Sequence, residues 1–568
     1  MVKTTDFAFS VGPLFQDAFA GTSASVNIAP VPLGVNGSNT NHWLRIVDST
    51  AGDEIVLITG GSALSGAPSG TLEFTPSLDH VSGNWTLATA SAGVQEAAWY
   101  VGDEGCLEVP PGMHPVYSAV TLLRNQAIVG CGRNSSTLER RFVGDTHMVT
   151  CPAGVGTNGY RVAHLGFRMQ PELVPGEASY FLHIADGHHS VGEDLYFERG
   201  QNHLLIEGVG RGSFHALMHL DHLRKAIVIL HSGIVLQDFT TSTSYKSTGW
   251  PMDPIDAQAI EIQDGAVALS DANIQFVFVG RQNTHNTEGI SLRAAAGVEV
   301  HESTFANFLI DGPKYGIRQV GEGNTRAHVF SNFRIAAIVS AITLDSQCNE
   351  IQFQCGQFSG NRVGLGAEQD VIILHGCKDI VFDQCHIADL RADDGGGPGQ
   401  LNGIRLASGG AKTCRGITVK NCVIGIRRDD GAPDTLMRHS LYIADGNDRD
   451  LVISDNRLYG TVSPIRLPTT AFSGGLVISA NSSDSANTVA DCTATTFLDL
   501  PKPGVEIVRV NGTTAIQSIT GGFAGRKTQL LMKDGAPFAS GGNIGVPRPT
   551  APGELVTAIY DGNLWFIT

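Results

Sequence analysis

The sequence is short of charge and of aromatic rings: of 568 residues, 16% are charged and 7% are Phe, Trp or Tyr. It has no apolar run of about 18 residues, the length a membrane span requires. Met1 to Ser10 holds one lysine and no apolar core, so no cleaved secretory leader is expected. Basic residues are outnumbered, and the net charge of −17 speaks against a nucleic-acid partner, which needs a basic face. An acidic polymer bound here would have to meet a local cluster of arginines or a metal ion. Ten cysteines occur without any Cys-x-x-Cys, so a zinc site has no spacing to rest on. Also missing is the series of Asn-Gly or Asp-Gly turns, about every 8–12 residues, that an antiparallel sandwich would show.

What the chain does have is a repeat. Between Ala259 and Ser482 a short strand with apolar residues two apart returns eight times, led by Ile260, Ile290, Ile317, Ile342, Ile372, Ile404, Leu441 and Ile465. The steps are 30, 27, 25, 30, 32, 37 and 24 residues. A second alternating strand follows each, as in Ile351-Gln352-Phe353, Ile380-Val381-Phe382 and Ile417-Thr418-Val419. Units this small cannot bury an apolar face alone, so they must stack. The economical stack is an all-β parallel β-helix, with Ile404 and Leu406 pointing in and Arg405 out. The variable steps place length changes in one connection, where a loop can bulge without disturbing the stack. Sixty-eight glycines suit so many turns.

The cysteines keep the same step. Cys348, Cys377 and Cys414 advance by 29 and 37, and Cys355, Cys385 and Cys422 by 30 and 37. Two interior columns of small buried thiols are expected, in keeping with assembly in a reducing cytoplasm. Residues 1–92 read as a separate β-rich module, either an attachment module or a cap on the solenoid; 93–490 as the β-helix; 491–568 as a C-terminal β-module. Thr137 to Asp256 is rich in histidine, including His183, His203, His215, His219 and His222. Core or solvent histidines are the favoured reading there over zinc, and Thr241 to Asp256 reads as a protruding loop.

A short helix at Gly93 to Trp99, the turn Val109-Pro110-Pro111-Gly112 and the Gly130-Cys131-Gly132 that follows Ile128 come in that order within forty residues. This order closely resembles the opening of the pectate-lyase-like superfamily, found in many bacteriophage tailspikes and polygalacturonase-type enzymes. The resemblance implies a right-handed parallel β-helix over about residues 93–485. It also implies a layout of attachment module, shaft and C-terminal module, a homotrimer, and a place on a virion or extracellular surface after cytoplasmic assembly. The Asn-Thr-Asp and Arg-Ile-Lys of polygalacturonases are absent, and the arginine and calcium signature of pectate lyases is not recognisable. No catalytic residue carries over.

Chemistry is therefore sought on the residues themselves. The outward column of the first strand is Glu261, Ser291, Arg318, Thr343, Ile373, Arg405, Tyr442 and Arg466, and Glu261, Arg318, Arg405 and Tyr442 are candidates to bind a polysaccharide. Two loops, with Arg391, Asp393 and Asp394 in one and Arg427, Arg428, Asp429 and Asp430 in the other, should leave the same corner of consecutive rungs. Paired carboxylates could act as acid and base or nucleophile in glycoside hydrolysis. With the arginines they could instead serve a lyase, where a cation, calcium among them, neutralises a uronate while a base removes the neighbouring proton. Asp-Asp-Gly is also ordinary turn chemistry. The expectation is a tailspike-like protein that binds and cleaves a bacterial surface polysaccharide, with no resident cofactor in the hydrolase case. The alternatives are a non-catalytic adhesin or structural spike, and a free-standing pectin-type lyase or hydrolase.

Overall fold

The computed structural model describes residues 1–153, 159–173, 176–185, 188–244, 257–277, 286–360, 369–388, 401–407, 412–425, 437–445, 447–460, 463–468, 475–479, 481, 489–500, 507–522 and 526–568. It divides into two compact units, Met1–Val279 and Gly280–Thr568.

The first unit opens with an antiparallel sheet in the order Ser10–Val11, Trp85–Thr89, Trp43–Asp48, Glu54–Gly60, Gly70–Phe74, Ala24–Ile28. Alternation along these strands sends Leu44, Ile46, Ile58, Phe74 and Trp85 into one core. The helix Val94–Val101 follows Gly93, whose φ of 81° and close approach to Thr4 O, 2.1 Å from where a Cβ would stand, admit only glycine. Gln95 shows why an amide sits here. Its side chain donates to Thr121 O at 2.9 Å and accepts from Thr121 N at 2.7 Å, supplying the hydrogen bonds a preceding strand would otherwise make. The rungs then pair in parallel, Cys106–Val109 with Ala127–Gly130, and that strand with Arg161–Met169.

In the run Val191–Ser244 the chain turns corners at Arg199, Asp221 and Asp238, each in the left-handed region. Within it His203, His219 and His222 are wholly buried. His203 Nδ1 and His219 Nδ1 share one hydrogen bond of 3.0 Å, and the ring of His219 stacks on Phe197 at 4.7 Å. Burial, followed by mutual proximity, holds His203 well below the usual imidazole range, and burial takes His222 down to about 3. His215, by contrast, lies in the same strand run against Ser213.

In the second unit the expected columns are in register. Ile290 pairs with Ile317, Ile317 with Ile342, Ile342 with Ile372, Ile372 with Ile404, Ile404 with Leu441, and Leu441 with Ile465. The second strand stacks likewise, Phe353 on Phe382 and Val419 on Ile453. The fold is a parallel β-helix. Phe305, Phe330, Phe353 and Phe382 form a continuous ring stack with centroids 4.5, 4.9 and 5.0 Å apart.

One expected column is displaced. Cys348, Cys377 and Cys414 are buried, as are Cys385 and Cys422, but Cys355 is exposed. The register aligns Gln357 with His386, so the residue opposite Cys385 is Gly356. A Cβ at Gly356 would lie 2.1 Å from the Phe333 ring, so no thiol fits there. Cys355 stands one residue earlier, on a corner column with Asn307, Asn332, Gln384, Asn421 and Asp455, all at φ between 49° and 59°. The inner column runs Cys385, Cys422, Asn456, Asn481, and is tied by Asn456 Oδ1 accepting from Cys422 N at 2.9 Å.

The C-terminal residues form a five-stranded sheet, Val489–Thr493, Ile507–Asn511, Lys527–Met532, Glu554–Tyr560 and Trp565–Ile567. Val510, Leu530, Met532 and Trp565 face its core, while Leu555, Ile559 and Phe566 are exposed.

Candidate functional site

Two side chains in succession turn inward where each first strand of the second unit begins. At Gly289, Gly316 and Gly403 an added Cβ would lie 2.7, 2.3 and 2.5 Å from the core side chains of Ile310, Ile335 and Ile424. The residue before each of these small positions is therefore turned outward, on the same face as the residue after the core isoleucine. Glu288 and Tyr315 are paired in one part of this extra column, and Asp370, Asn402 and His439 in another.

The first cluster is centred on Glu288, whose side chain is fully buried. Its Oε1 accepts from Arg318 Nη1 at 2.8 Å and from Arg293 Nη2 at 3.1 Å. Arg318 also donates to Asn286 Oδ1 at 3.1 Å and lies 4.3 Å over the Tyr315 ring. The second cluster is centred on Asp370, whose side chain is 6% exposed. Oδ1 accepts from Asn402 Nδ2 at 2.7 Å and Oδ2 from Arg405 Nη1 at 3.2 Å. The Arg405 guanidinium stands 5.1 Å from the centroid of Tyr442, that of Arg466 stands 4.3 Å from it, and the His439 ring is 5.9 Å away. With both oxygens engaged by donors, Asp370 is a fixed anionic acceptor that orients Arg405, rather than a proton donor.

The candidate residues fall into three groups. Arg405 and Tyr442 are brought together on adjacent rungs, and Arg318 lies on the same column, paired with Thr343 and so three rungs before Arg405. Glu261 is 1% exposed and lies in the first unit, its carboxylate held by Lys225 Nζ at 2.8 Å and by Gln263 Nε2. Its outward parity holds, but a buried ion pair leaves it no open surface. Arg391, Asp393, Asp394, Arg427, Arg428, Asp429 and Asp430 lie outside the described residues. The strands before their loops are paired, His386 with Val423 and Ile387 with Ile424. The strands after them are also paired, Leu401 with Met437, and lead directly into Asn402 and His439.

Strict alternation misses Glu288, Asp370, Asn402 and His439, because it sends a residue two before a core isoleucine inward. The available signal is a polar residue, then a small one, then the core residue, as in Glu288-Gly289-Ile290, Asn402-Gly403-Ile404 and His439-Ser440-Leu441. Among the described residues no three His, Cys, Asp or Glu side chains converge as metal ligands.

No family model matches the chain, and no curated protein matches it. Among solved structures it is similar to the A-module of a mannuronan C-5 epimerase of Azotobacter vinelandii, with 13% identity over 67% of this chain and 95% of that one and a TM-score of 0.40. It is similar to the tailspike protein of E. coli bacteriophage HK620 in complex with a pentasaccharide, with 11% identity over 69% and 75% and a TM-score of 0.39. A third is the catalytic unit of a GH87 α-1,3-glucanase from Streptomyces thermodiastaticus, with 10% identity over 82% and 95% and a TM-score of 0.33.

Proposed function

We propose that this protein binds a bacterial surface polysaccharide along the outer face of the first-strand sheet of its second unit, and cleaves it with carboxylates of the adjoining loops. The observation that carries the reading is the Asp370–Asn402–Arg405–Tyr442 cluster. A bland sheet surface has no need to bury a carboxylate, clamp it with an amide and a guanidinium, and set the guanidinium beside an aromatic ring. The carboxylate–guanidinium cluster recurs three rungs apart, about 14 Å along the stack, which suits a polymer of similar units lying along it. Asp393, Asp394, Asp429 and Asp430 belong to segments whose flanking strands are rung neighbours, so a hydrolase or lyase would draw its acid and base from them. Homotrimerisation would cover Leu555, Ile559 and Phe566 of the C-terminal sheet. The N-terminal module would attach the shaft to a larger particle, on a virion or extracellular surface.

The test is digestion of capsular, lipopolysaccharide and uronate polymers, reading reducing ends and the ultraviolet absorbance of an unsaturated product together. Loss of both signals in an Asp394→Ala, Asp430→Ala variant is expected, while Arg405→Ala should weaken binding by about tenfold. Undiminished turnover in the double variant would remove those loops from the chemistry. Binding-only behaviour is the second reading, and one observation favours it: the buried carboxylate of the described face has both oxygens occupied. Retained binding without any product would establish it.

A further inference from the structure

Arg405, Tyr442 and Arg466 occupy three consecutive rungs of one column, Arg405 paired with Tyr442 and Tyr442 with Arg466. The two guanidinium groups lie 5.1 and 4.3 Å from the centroid of the ring between them. Because they come from the rungs on either side, both faces of Tyr442 are taken. A sugar ring therefore cannot stack on this tyrosine, and recognition has to use the edges of the guanidinium planes.

The two arginines differ in their partners. Arg405 is neutralised by Asp370. Among the described residues Arg466 meets no carboxylate, and Tyr442 is the group it packs on. Among the described residues of the two clusters and the ladder, four guanidinium groups, Arg293, Arg318, Arg405 and Arg466, stand against two carboxylates, Glu288 and Asp370. That is a local positive surplus in a chain whose net charge is −17. A guanidinium packed on a ring still presents a fork of N–H donors, which matches a planar or tetrahedral oxyanion.

We infer that the Arg405–Tyr442–Arg466 ladder is a subsite for an anionic sugar, with the Arg466 fork taking its carboxylate or sulfate group. This rests on the glycan-binding reading given above and narrows its substrate class to acidic polymers. A neutral polymer would leave the surplus charge on this face unanswered.

The experiment compares polymers that differ in charge on one backbone: polygalacturonate against its carboxyl-reduced form, and dextran sulfate against dextran, each with the full chain, alongside capsular polymers of both kinds. The acidic member of a pair should be bound at least about tenfold more tightly than its neutral partner, and the difference should shrink with added salt. Arg466→Gln should lose that preference, and Arg466→Lys, which keeps the charge but not the fork, should recover part of it. An unchanged melting midpoint in both variants separates the effect from misfolding. Preference for polygalacturonate identifies a uronate subsite, and preference for dextran sulfate a sulfate subsite. Equal binding of a pair's two members, or a preference that survives Arg466→Gln, overturns the inference while leaving glycan binding in place. Absence of binding to every polymer overturns the glycan reading itself, and the subsite with it.

Discussion

At the scale of single residues, the face is built on carboxylates placed where water does not reach them. Glu288 accepts from two arginines at a fully buried position. Removing it in Glu288→Ala should cost about 1–3 kcal/mol in denaturant unfolding, the range for losing charged hydrogen bonds whose donors stay partly solvated. A loss near zero would mean that Arg293 and Arg318 turn to water at no expense. The cysteines give a second check. Cys131 and Cys355 are exposed while Cys348, Cys377, Cys385, Cys414 and Cys422 are buried, so a thiol reagent should modify the first two in the native protein and reach the others only after unfolding. Rapid labelling of Cys385 would contradict the inner column. The difference between Cys355 and Cys385 was hidden from spacing alone. A shift of one residue carries a side chain from the inner column to the corner, and the Phe333 ring that forces the shift comes from a neighbouring rung.

Among the strands, stacking is the source of both order and stability. The step between core isoleucines could be read directly, and every pairing from Ile290 to Ile465 follows it, because a parallel stack repeats one inward position per rung. What could not be read was the extra inward residue at the start of each first strand. It breaks the two-residue alternation, marked only by a polar and then a small residue before the core one at Glu288-Gly289, Asn402-Gly403 and His439-Ser440, and with it went Glu288, Asp370, Asn402 and His439. Phe353 lies within the four-ring stack, in contact with Phe330 on one side and Phe382 on the other. Its truncation in Phe353→Ala should cost about 3–5 kcal/mol, the usual range for an aromatic removed from a closed core. The corner column sets a different limit. Asn332 sits at φ 49° and its Nδ2 donates to Asn307 Oδ1 at 2.7 Å. Asn332→Val should destabilise by about 1–2 kcal/mol, since a β-branched residue is strained there, whereas Asn332→Gly should be close to neutral.

For the molecule as a whole, acid is the condition that separates its two kinds of titrating group. Burial first of all depresses His203, His219 and His222, the last to about 3, and it also takes His147 and His328 down to about 4. In the unfolded chain these rings take up protons near pH 6.5. The unfolded state therefore binds more protons below that pH, and the histidines' contribution to stability falls as pH drops from about 6.5 toward their folded values. The depressed carboxylates act lower. Asp48 is held down by hydrogen bonds led by His80. Glu96 is held down by His42 and Ser91 although burial alone would raise it. Both keep their contribution above the ordinary carboxylate range and lose it only as pH falls through their lowered folded values. Between about pH 6.5 and 4.5 the slope is thus the histidines' own, each fully titrating ring supplying about 1.4 kcal/mol per pH unit. The melting midpoint should fall through that window, and His219→Phe, whatever its midpoint at pH 7, should show a shallower fall because one ring no longer takes up a proton on unfolding. A midpoint independent of pH across the window would mean that the three rings are not held neutral inside the shaft, and that the ring stack through Phe197 and His219 opens to water before the chain unfolds.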